Sequence, residues 1–499
     1  MSLAAPISSA VAERPLNATM PRVRARGRTI FVCIPSGTPA ANILRTGVFS
    51  AIRDDDSVGT LVILSPLVSE PHFVQEHAGP KVRFAPLIPH EPGWLERRFI
   101  RVMQERFVKT MPTSSMRIRV AKAARAEGEV RYLDRTPLSM KSRGAKRLAV
   151  GALKTLPFPI DFWFRASDFC TLGSRYADVF SEYDPALVVT PTTGLYFGEG
   201  PLMARADRLG VPSVAIDLSW DHFTTKTAPL RRVLGLAVWN ELMKREATQL
   251  HGYRDDQVVV AGVPQFDIYA DKQRLGTRDT FFKRVGADPN RKLVTLTTIP
   301  PVLFRNHPDV IDTLVRAIDS DAFGAPVQLL VRVHPRDDIT QYERFMSHPH
   351  VVIEKPFRET IVAEGSNVDP SLSDRLHLGA TLYHSDVIVN VASTIAIEAA
   401  VMDTPIVNLA YDGSDRREYL ESTRRYYDYT HFRPLVDAGA TRMARSPDDL
   451  VREVSQYLDD PSRDRGGRER AVEQLCYRVD GKSSERVADF VLRTLATVA

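Results

Sequence analysis

Short, nearly continuous apolar segments alternate with helical patterns along most of this chain, and this order constrains the fold more than any other feature. Examples are Thr29–Ile34 (TIFVCI), Pro185–Gly194 (PALVVTPTTG), Val211–Trp220 (VPSVAIDLSW) and Lys292–Pro301 (KLVTLTTIPP). Between the second and the third lies EGPLMARADRLG, whose periodicity is helical and ends at Gly210. Strands without polar alternation are typical of parallel sheets that helices cover on both faces. The order therefore predicts an α/β fold.

The strand–helix order starts again in the second half of the chain, where DVIVNVASTIAIEAAVMDTPIVNL reads as strand, helix, strand. A chain of 499 residues is also too long for one hydrophobic core of ordinary size. We therefore expect two Rossmann-like parallel-sheet domains that face a cleft, at 28–268 and at 285–430. Residues 1–27 are predicted to be a disordered tail, and 431–499 to be helices that pack back across the domain interface.

A basic helical segment at 94–165 interrupts this order. Between Arg97 and Arg147 there are 15 Lys and Arg against four Asp and Glu, although the net charge of the whole chain is only +5. In WLERRFIRVMQERFVKTM the apolar residues share one helical face, and arginines occupy much of the rest. We predict an insertion in the first domain that contacts an anionic membrane surface. The alternative is a helix packed on the sheet, with its arginines simply solvated.

Composition narrows the class of protein. The chain is 43% hydrophobic and 25% charged, which is typical of a soluble globular protein, and the first 27 residues contain no apolar core of a secretory signal. Cys33, Cys170 and Cys476 form no CxxC pair, which favours reduced cytosolic thiols over a disulfide frame or a zinc site. Few aromatic residues and no recognisable module around the basic segment argue against nucleic acid. We expect a cytoplasmic protein that the basic segment holds at the inner face of the plasma membrane.

The segment PVQLLVRVHP reads as a strand that ends on Arg332 and His334. Ligands of open parallel sheets bind beyond the carboxyl ends of the strands, and residues two apart lie on one face. A guanidinium offers an anion two parallel hydrogen bonds, and an imidazole offers a donor or a titratable acid. The alternative is that His334 only ends the strand, stopped by Pro335, and that Arg332 pairs with a nearby Asp.

A second group of candidates follows in VASTIAIEAAVMD. Ser393 or Thr394 is expected at the N-cap of a helix, where free N–H groups and the helix dipole favour a phosphate. Glu398 stands alone among apolar residues of that helix and needs a partner, for which a ribose diol is one candidate. The alternatives are an ordinary N-cap and a buried ion pair. The RVHP segment one strand–helix unit upstream favours a binding site.

These motifs together carry a resemblance to a known group of enzymes. R-x-H-P followed by N-x-x-S-T-x-x-x-E-A resembles nucleotide-sugar-using transferases of the GT-B fold, and most of all CDP-glycerol glycerophosphotransferases and bacterial capsular or surface-polysaccharide transferases. SWDHFTTK, VAGVPQFDIY and DGKSSERVADFVL are similar to the same group, so the likeness covers residues 180–490. It implies an acceptor-side first domain, a nucleotide-donor-binding second domain, and a CMP- or CDP-linked donor rather than a UDP-linked one.

The resemblance also implies roles for particular residues. His334, Pro335, Ser393 and Thr394 would contact the phosphates of the donor nucleotide, and Glu398 would bind its ribose. From the residues themselves, Arg332 adds positive charge on the leaving-group side. Thr298, in TLTTIPP at the start of the second domain, is a further candidate for the donor phosphate.

Group transfer also needs a base that takes the proton of the acceptor hydroxyl. We expect this base from the first domain, with Asp217 and Asp221, which flank LSW, as the best candidates. Either can instead be an Asx-turn or a helix cap. His222 is a third candidate, for which a plain loop position is the alternative. No DxD-like motif stands at a strand end, so we predict a reaction that needs neither a metal nor another cofactor.

The sequence thus predicts a glycosyltransferase. It would move a sugar or a polyol-phosphate from a nucleotide-activated donor to a glycan or lipid-linked acceptor in cell-surface polysaccharide biosynthesis. One alternative is a nucleotide-sugar 2-epimerase, which shares the two-domain architecture and a helix glutamate. Another is a non-catalytic binding or scaffold subunit of a polysaccharide-assembly complex.

Overall fold

The computed structural model describes residues 27–88, 90, 93, 176–195, 198–225, 231–355 and 369–498. The predicted basic insertion at 94–165 lies outside these residues, and so does the predicted tail apart from its last residue. Within the described ranges, strands and helices alternate and form two parallel sheets. The expected two-domain α/β class is therefore confirmed.

The first sheet has seven strands in the order β3-β2-β1-β4-β5-β6-β7, and neighbouring strands are parallel. The strands are β1 (Arg28–Cys33), β2 (Val58–Ser65), β3 (Val82–Pro86), β4 (Leu187–Thr190), β5 (Ser213–Ile216), β6 (Gly235–Val238) and β7 (Val258–Val260). Successive strands run outward from β1 in one direction and from β4 in the other. The order of the strands reverses between β1 and β4, so a crevice opens at their carboxyl ends.

The second sheet has six strands in the order β10-β9-β8-β11-β12-β13, again with parallel pairs. The strands are β8 (Lys292–Thr297), β9 (Val327–Arg332), β10 (Val351–Glu354), β11 (Val387–Asn390), β12 (Ile406–Leu409) and β13 (Arg442–Ala444). All six residues of β9 are buried, as expected of a central strand covered on both faces. Here the order reverses between β8 and β11.

Helices cover the faces of both sheets. In the first half they are α1 (Gly37–Pro39), α2 (Gly47–Asp54), α3 (Pro71–His77), α4 (Ala177–Tyr183), α5 (Glu199–Arg208), α6 (His222–Thr225), α7 (Glu241–His251) and α8 (Arg278–Val285). In the second half they are α9 (His307–Asp319), α10 (Leu372–His384), α11 (Ile395–Val401), α12 (Arg433–Asp437), α13 (Pro447–Asp459), α14 (Arg465–Cys476) and α15 (Ser483–Thr497). Side-chain caps define several starts, for example Asn240, Thr277 and Ser446.

One further element, a π-helix at Ala40–Leu44, follows α1 directly. It is closed by the backbone N–H of Arg45, which donates to the carbonyl of Ala40 (3.1 Å). Single π turns are uncommon and are found mostly at functional sites. This one lies beyond the carboxyl end of β1, at the crevice of the first sheet.

The last two helices lie on different parts of the molecule. Helix α14 packs on α11 beside the second sheet. The chain then returns, and α15 buries Val487, Val491 and Leu495 in the hydrophobic core of the first sheet. Its first turn is held by Asp267, whose carboxylate accepts the backbone N–H groups of Ser483 and Ser484 (2.9 and 2.7 Å). The residue limits given above for the domains remain predictions.

The apolar patterns placed the central strands correctly but missed four short ones, β3, β6, β10 and β13. Gly210 has a positive φ of 71° directly after the α5 cap, as predicted for the end of that helix. Among the described residues, no helix has both the length and the apolar character needed to span a bilayer.

Candidate active site

A cavity of about 440 Å³ lies between the two sheets, at the ends of the chain segments that leave their carboxyl edges. The first domain contributes Thr38, Ala41, Asn42, Leu218, Ser219, Asp221, His222 and Trp239, the connection contributes Gln265 and Tyr269, and the second domain contributes Pro370, Asp374, Arg375, Leu378, Thr394 and Glu398. The volume is in the range of small-ligand sites, and the location matches the rule for open parallel sheets. The cavity therefore contains four of the predicted candidates: Asp221, His222, Thr394 and Glu398.

Asp217 supports the wall on the side of the first domain. Its carboxylate is fully buried, and its Oδ1 lies 2.9 Å from Nδ1 of His222, which lines the cavity. The same oxygen accepts the backbone N–H of Ser219 (3.1 Å), and the indole N–H of Trp239 donates to the Asp217 carbonyl (3.0 Å). The ring N–H of His222 is not aligned for a linear hydrogen bond, so the contact is electrostatic in this conformation. Asp217 thus favours the tautomer with the proton on Nδ1 and leaves Nε2 as the basic nitrogen.

Asp221 has a different environment from Asp217. Its Oδ1 accepts the Ser219 hydroxyl (2.5 Å) and its Oδ2 accepts the Thr225 hydroxyl (2.8 Å), while its carbonyl accepts the N–H of Thr225 (2.9 Å). These contacts stabilise the short helix α6. They agree with the helix cap that was considered from sequence as the alternative role of Asp221. Asp221 also lines the cavity.

A third acid lies within electrostatic range of this pair. Burial, aided by the negative charges of Asp217 and Asp221 and opposed by the charge of Arg245, raises the pKa of Glu246, on α7, to about 8. Glu246 is therefore protonated at neutral pH. This limits the negative charge around His222.

The opposite wall begins at the end of β11. Ala392 has a φ of +34°, an unfavourable value for a residue with a Cβ atom, and this turn leads the chain into α11. Thr394 occupies the N-cap position without a side-chain capping bond, and the Ser393 hydroxyl accepts the N–H of Ile395 (3.3 Å). Helix α11 has only seven residues, so its dipole is small. The Thr394 side chain, which makes no cap, lines the cavity.

Glu398 has a partner from the other side of the cavity. The Tyr269 hydroxyl donates to its Oε2 (2.5 Å), and Tyr269 belongs to the connection between the sheets. Burial raises the pKa of Glu398, while the hydrogen bond and the charges of Arg375 and Arg332 oppose this rise. Glu398, which the sequence predicted to need a partner, thus has one carboxylate oxygen bound by a tyrosine. Glu398 also lines the cavity.

Arg332 is engaged in the sheet rather than in the cavity. It is the last residue of β9, it is 5% exposed, and its Nη1 lies 2.6 Å from Oε1 of Glu354, its register partner on β10. The second oxygen of Glu354 lies 2.8 Å from Nε2 of His377. Arg332 therefore has a carboxylate partner, as in the alternative considered from sequence, although that partner is a Glu and not an Asp.

A buried acid holds the loop that carries His334 and Pro335. The Thr298 hydroxyl accepts the N–H of His334 (2.8 Å) and donates to Oδ2 of Asp337 (2.8 Å), which also accepts the hydroxyl of Tyr342 (2.6 Å). Thr298 is 2% exposed, so its hydroxyl organises this loop. His334 does not line the cavity but lies outside β9, two residues beyond its end.

His334 has a defined tautomer. Its Nδ1 accepts the backbone N–H of Arg336 (3.0 Å), so the neutral ring carries its proton on Nε2. Burial lowers the pKa of His334 to about 4, and the charge of Arg336 contributes to this shift. At neutral pH the residue is therefore a neutral hydrogen-bond donor.

Arg375 and Tyr269 are among the cavity residues that the sequence patterns did not select. Arg375 occurs in a mixed polar helix and Tyr269 in a short 3₁₀ segment. Each reaches the site through contacts that no local pattern reveals. His222, the third candidate for the base, is the cavity residue that contacts Asp217. Within the described residues, no group of three or more His, Cys, Asp and Glu could hold a metal ion.

Two parallel α/β domains with a ligand-sized cavity at their carboxyl edges define the GT-B class of proteins. Solved structures that share this fold include the following two. One is UDP-GlcNAc 2-epimerase from Neisseria meningitidis bound to UDP-GlcNAc, with 11% identity, a TM-score of 0.51, and coverage of 93% of this chain and 100% of that one. The other is MnaA from S. aureus with UDP, with 12% identity, a TM-score of 0.51, and coverage of 94% and 97%. At these identities the likeness shows the fold alone.

The family is shown by the sequence itself. The model of the family described as CDP-glycerol:poly(glycerophosphate) glycerophosphotransferase matches residues 235–493, which is more than half of the chain. The chain belongs to this family of transferases. None of the curated proteins compared with it matches.

Proposed function

We propose that this transferase moves a polyol-phosphate or a sugar from a cytidine-linked donor to a hydroxyl group of a glycan or lipid-linked acceptor. The observation that carries the proposal is the contact between His222 and Asp217 on one wall of the cavity, opposite Thr394 and Glu398 on the other. A base and a nucleotide site are thereby supplied by different domains, as transfer between two substrates requires.

In this reaction His222 is the base that takes the proton of the acceptor hydroxyl. Its Nε2 takes the proton of the acceptor hydroxyl while that oxygen bonds to the donor phosphorus or, for a sugar, to the anomeric carbon. The bond to the nucleotide phosphate breaks, and the nucleotide leaves with the electron pair. Asp217 stabilises the imidazolium that forms, since a buried carboxylate beside a charged ring favours the charged form.

The donor nucleotide would lie on the second domain. Glu398 binds the ribose with its carboxylate, and Ser393, Thr394 and the His334–Pro335 turn face the phosphates. His334 donates from Nε2, because its Nδ1 is already an acceptor. The two histidines would thus act with opposite tautomers, His222 as a base and His334 as a donor. Arg332 acts on the donor through its positive charge. Thr298 acts on it through the loop that carries His334, which its hydroxyl holds in place.

We further propose that no metal is needed, that the protein is cytoplasmic, and that Arg97–Arg147 holds it at the inner face of the plasma membrane. The lack of a DxD-like motif at the end of a strand supports the first point. The charge of the basic segment supports the last. Binding to liposomes with anionic lipid but not to neutral ones is the expected result, and equal absence from both would contradict membrane contact.

A direct test of the function combines CDP-glycerol with the purified protein, with and without an isolated cell-envelope fraction as acceptor. Release of CMP that depends on the acceptor would support transfer. Two results would contradict it. One is interconversion of UDP-GlcNAc without acceptor, which would support a 2-epimerase. The other is nucleotide binding without any turnover, which would support a scaffold subunit.

A further inference from the structure

A pair of arginines joins the two domains at one end of the cavity. Arg45, just after the π turn of the first domain, binds Asp369 of the second domain through Nη1 (2.5 Å) and Nη2 (3.0 Å). Both side chains are only 4% exposed. Nη1 also donates to the carbonyl of Pro370 (3.2 Å), and Glu76 binds the other edge of the guanidinium (2.7 Å to both Nε and Nη2). The Asp369 side of this arrangement is bidentate and buried, so its loss costs more than the loss of an exposed pair.

Arg375 makes the reciprocal contact. It belongs to α10 of the second domain, and its Nη1 donates to the carbonyl of Ala41 in the π turn (2.7 Å). Its Nη2 donates to the carbonyl of Gln265. Each domain therefore sends one buried arginine to the other, and the two contacts enclose a single seam between Ala40–Leu44 and Asp369–Arg375.

The seam has a direct relation to the cavity. Thr38, Ala41 and Asn42 line the cavity from the first domain, and Pro370, Asp374 and Arg375 line it from the second. A π turn has i→i−5 bonds in place of the i→i−4 bonds of an α-helix, an uncommon geometry that a contact from outside the turn can stabilise. Arg375 makes such a contact with the Ala41 carbonyl. The shape of the acceptor-side wall thus depends on a side chain that comes from the donor side.

We propose that Arg45 and Arg375 are positioning residues, which together form a clamp that holds the π turn and so places Thr38 and Asn42 for the acceptor. This inference rests on the proposed function, because that function assigns the first-domain wall to the acceptor. The clamp acts through the π turn. It has no proton or group to transfer.

Hydrogen exchange tests the clamp without knowledge of the acceptor. The variants Asp369→Asn and Arg375→Gln should speed exchange of the backbone amides of Ala40–Arg45 by about tenfold, the equivalent of ~1.4 kcal/mol. Arg375→Lys, which keeps one donor and the charge, should show a smaller increase. Amides of β8 should be unaffected. Arg344→Gln is the matched control, since Arg344 binds Asp312 in an exposed pair remote from the seam.

A kinetic split separates positioning from a general loss of structure. With CDP-glycerol and the cell-envelope fraction, both clamp variants should raise the acceptor KM. Asp369→Asn, whose side chain does not line the cavity, should also bind CDP as the wild type does. Unchanged exchange of Ala40–Arg45 in folded Asp369→Asn and Arg375→Gln would overturn the clamp, and so would an unchanged acceptor KM. If the wild type neither binds CDP nor turns over, the proposed function fails, and with it the acceptor role of the clamp. The exchange result then decides only whether the clamp holds the π turn.

Discussion

Asp217→Asn is the substitution that most sharply tests the chemistry of the site. It keeps the size of a fully buried side chain, and it can still accept the N–H of Ser219. It removes the negative charge 2.9 Å from Nδ1 of His222. The asparagine amide can also present an N–H to Nδ1, which favours the wrong tautomer.

The magnitude follows from that contact. A hydrogen bond or close contact with a charged partner contributes about 1.5–3 kcal/mol. If it is realised in the transition state, where His222 becomes positive, kcat should fall by roughly 10- to 150-fold. Removing the base itself, in His222→Ala, should cost roughly 10²–10⁴-fold. The double variant should be no slower than His222→Ala alone, because Asp217 acts through the histidine.

The assay is the release of CMP from CDP-glycerol under single-turnover conditions, with CDP affinity measured in parallel by calorimetry. The affinity should be unchanged in all of these variants. Asp221→Asn is the matched comparison, since its carboxylate caps α6 through Ser219 and Thr225, and its kcat should fall less than that of Asp217→Asn. Normal turnover in Asp217→Asn, or additive losses in the double variant, would refute the assignment of the base.

Three further predictions concern other parts of the site. His334→Ala should weaken CDP binding by roughly 1.5–3 kcal/mol without unfolding the protein, and equal calorimetric affinity would count against a phosphate contact. In the wild type, the folded-state pKa of Glu246 is about 8, above its ordinary value of 4.5, so its stabilising protonation is complete below pH 4.5 and is lost as the pH rises towards 8. Between pH 5.5 and pH 8, the free energy of unfolding should fall by ~1–3 kcal/mol less in Glu246→Gln than in the wild type, as measured by denaturant titration. An equal fall in both proteins would contradict the raised pKa. Dialysis against EDTA should leave the transfer rate unchanged, and a loss restored by a divalent cation would contradict metal independence.

The sequence predicted those parts of the molecule that depend on residues close together in the chain. Central strands such as β9 are buried on both faces and therefore read as apolar runs. Thr394 and Glu398 belong to one strand–helix unit, so a motif of ten residues was enough to select them. The short strands β3, β6, β10 and β13 have three to five residues and a weaker pattern. Their place in a sheet is decided by neighbouring strands, and so they were missed.

The rest of the site depends on contacts between distant parts of the chain. Arg375 and Ala41 are 334 positions apart, and Tyr269 reaches Glu398 over 129. No periodicity reports such a contact. His222 and Asp217 are only five residues apart, but their pairing depends on the turn that Ser219 and Asp221 form. From sequence alone, Asp217 and Asp221 were therefore the preferred candidates for the base, and His222 was only the third.

The most direct test of the account is a crystal structure of the protein with CDP bound. We expect the nucleotide in the cavity between the sheets, with its ribose beside Glu398, its phosphates between Thr394 and the His334 turn, and His222 facing the terminal phosphate. A nucleotide bound outside this cavity, or phosphates turned away from both histidines, would contradict the central claim.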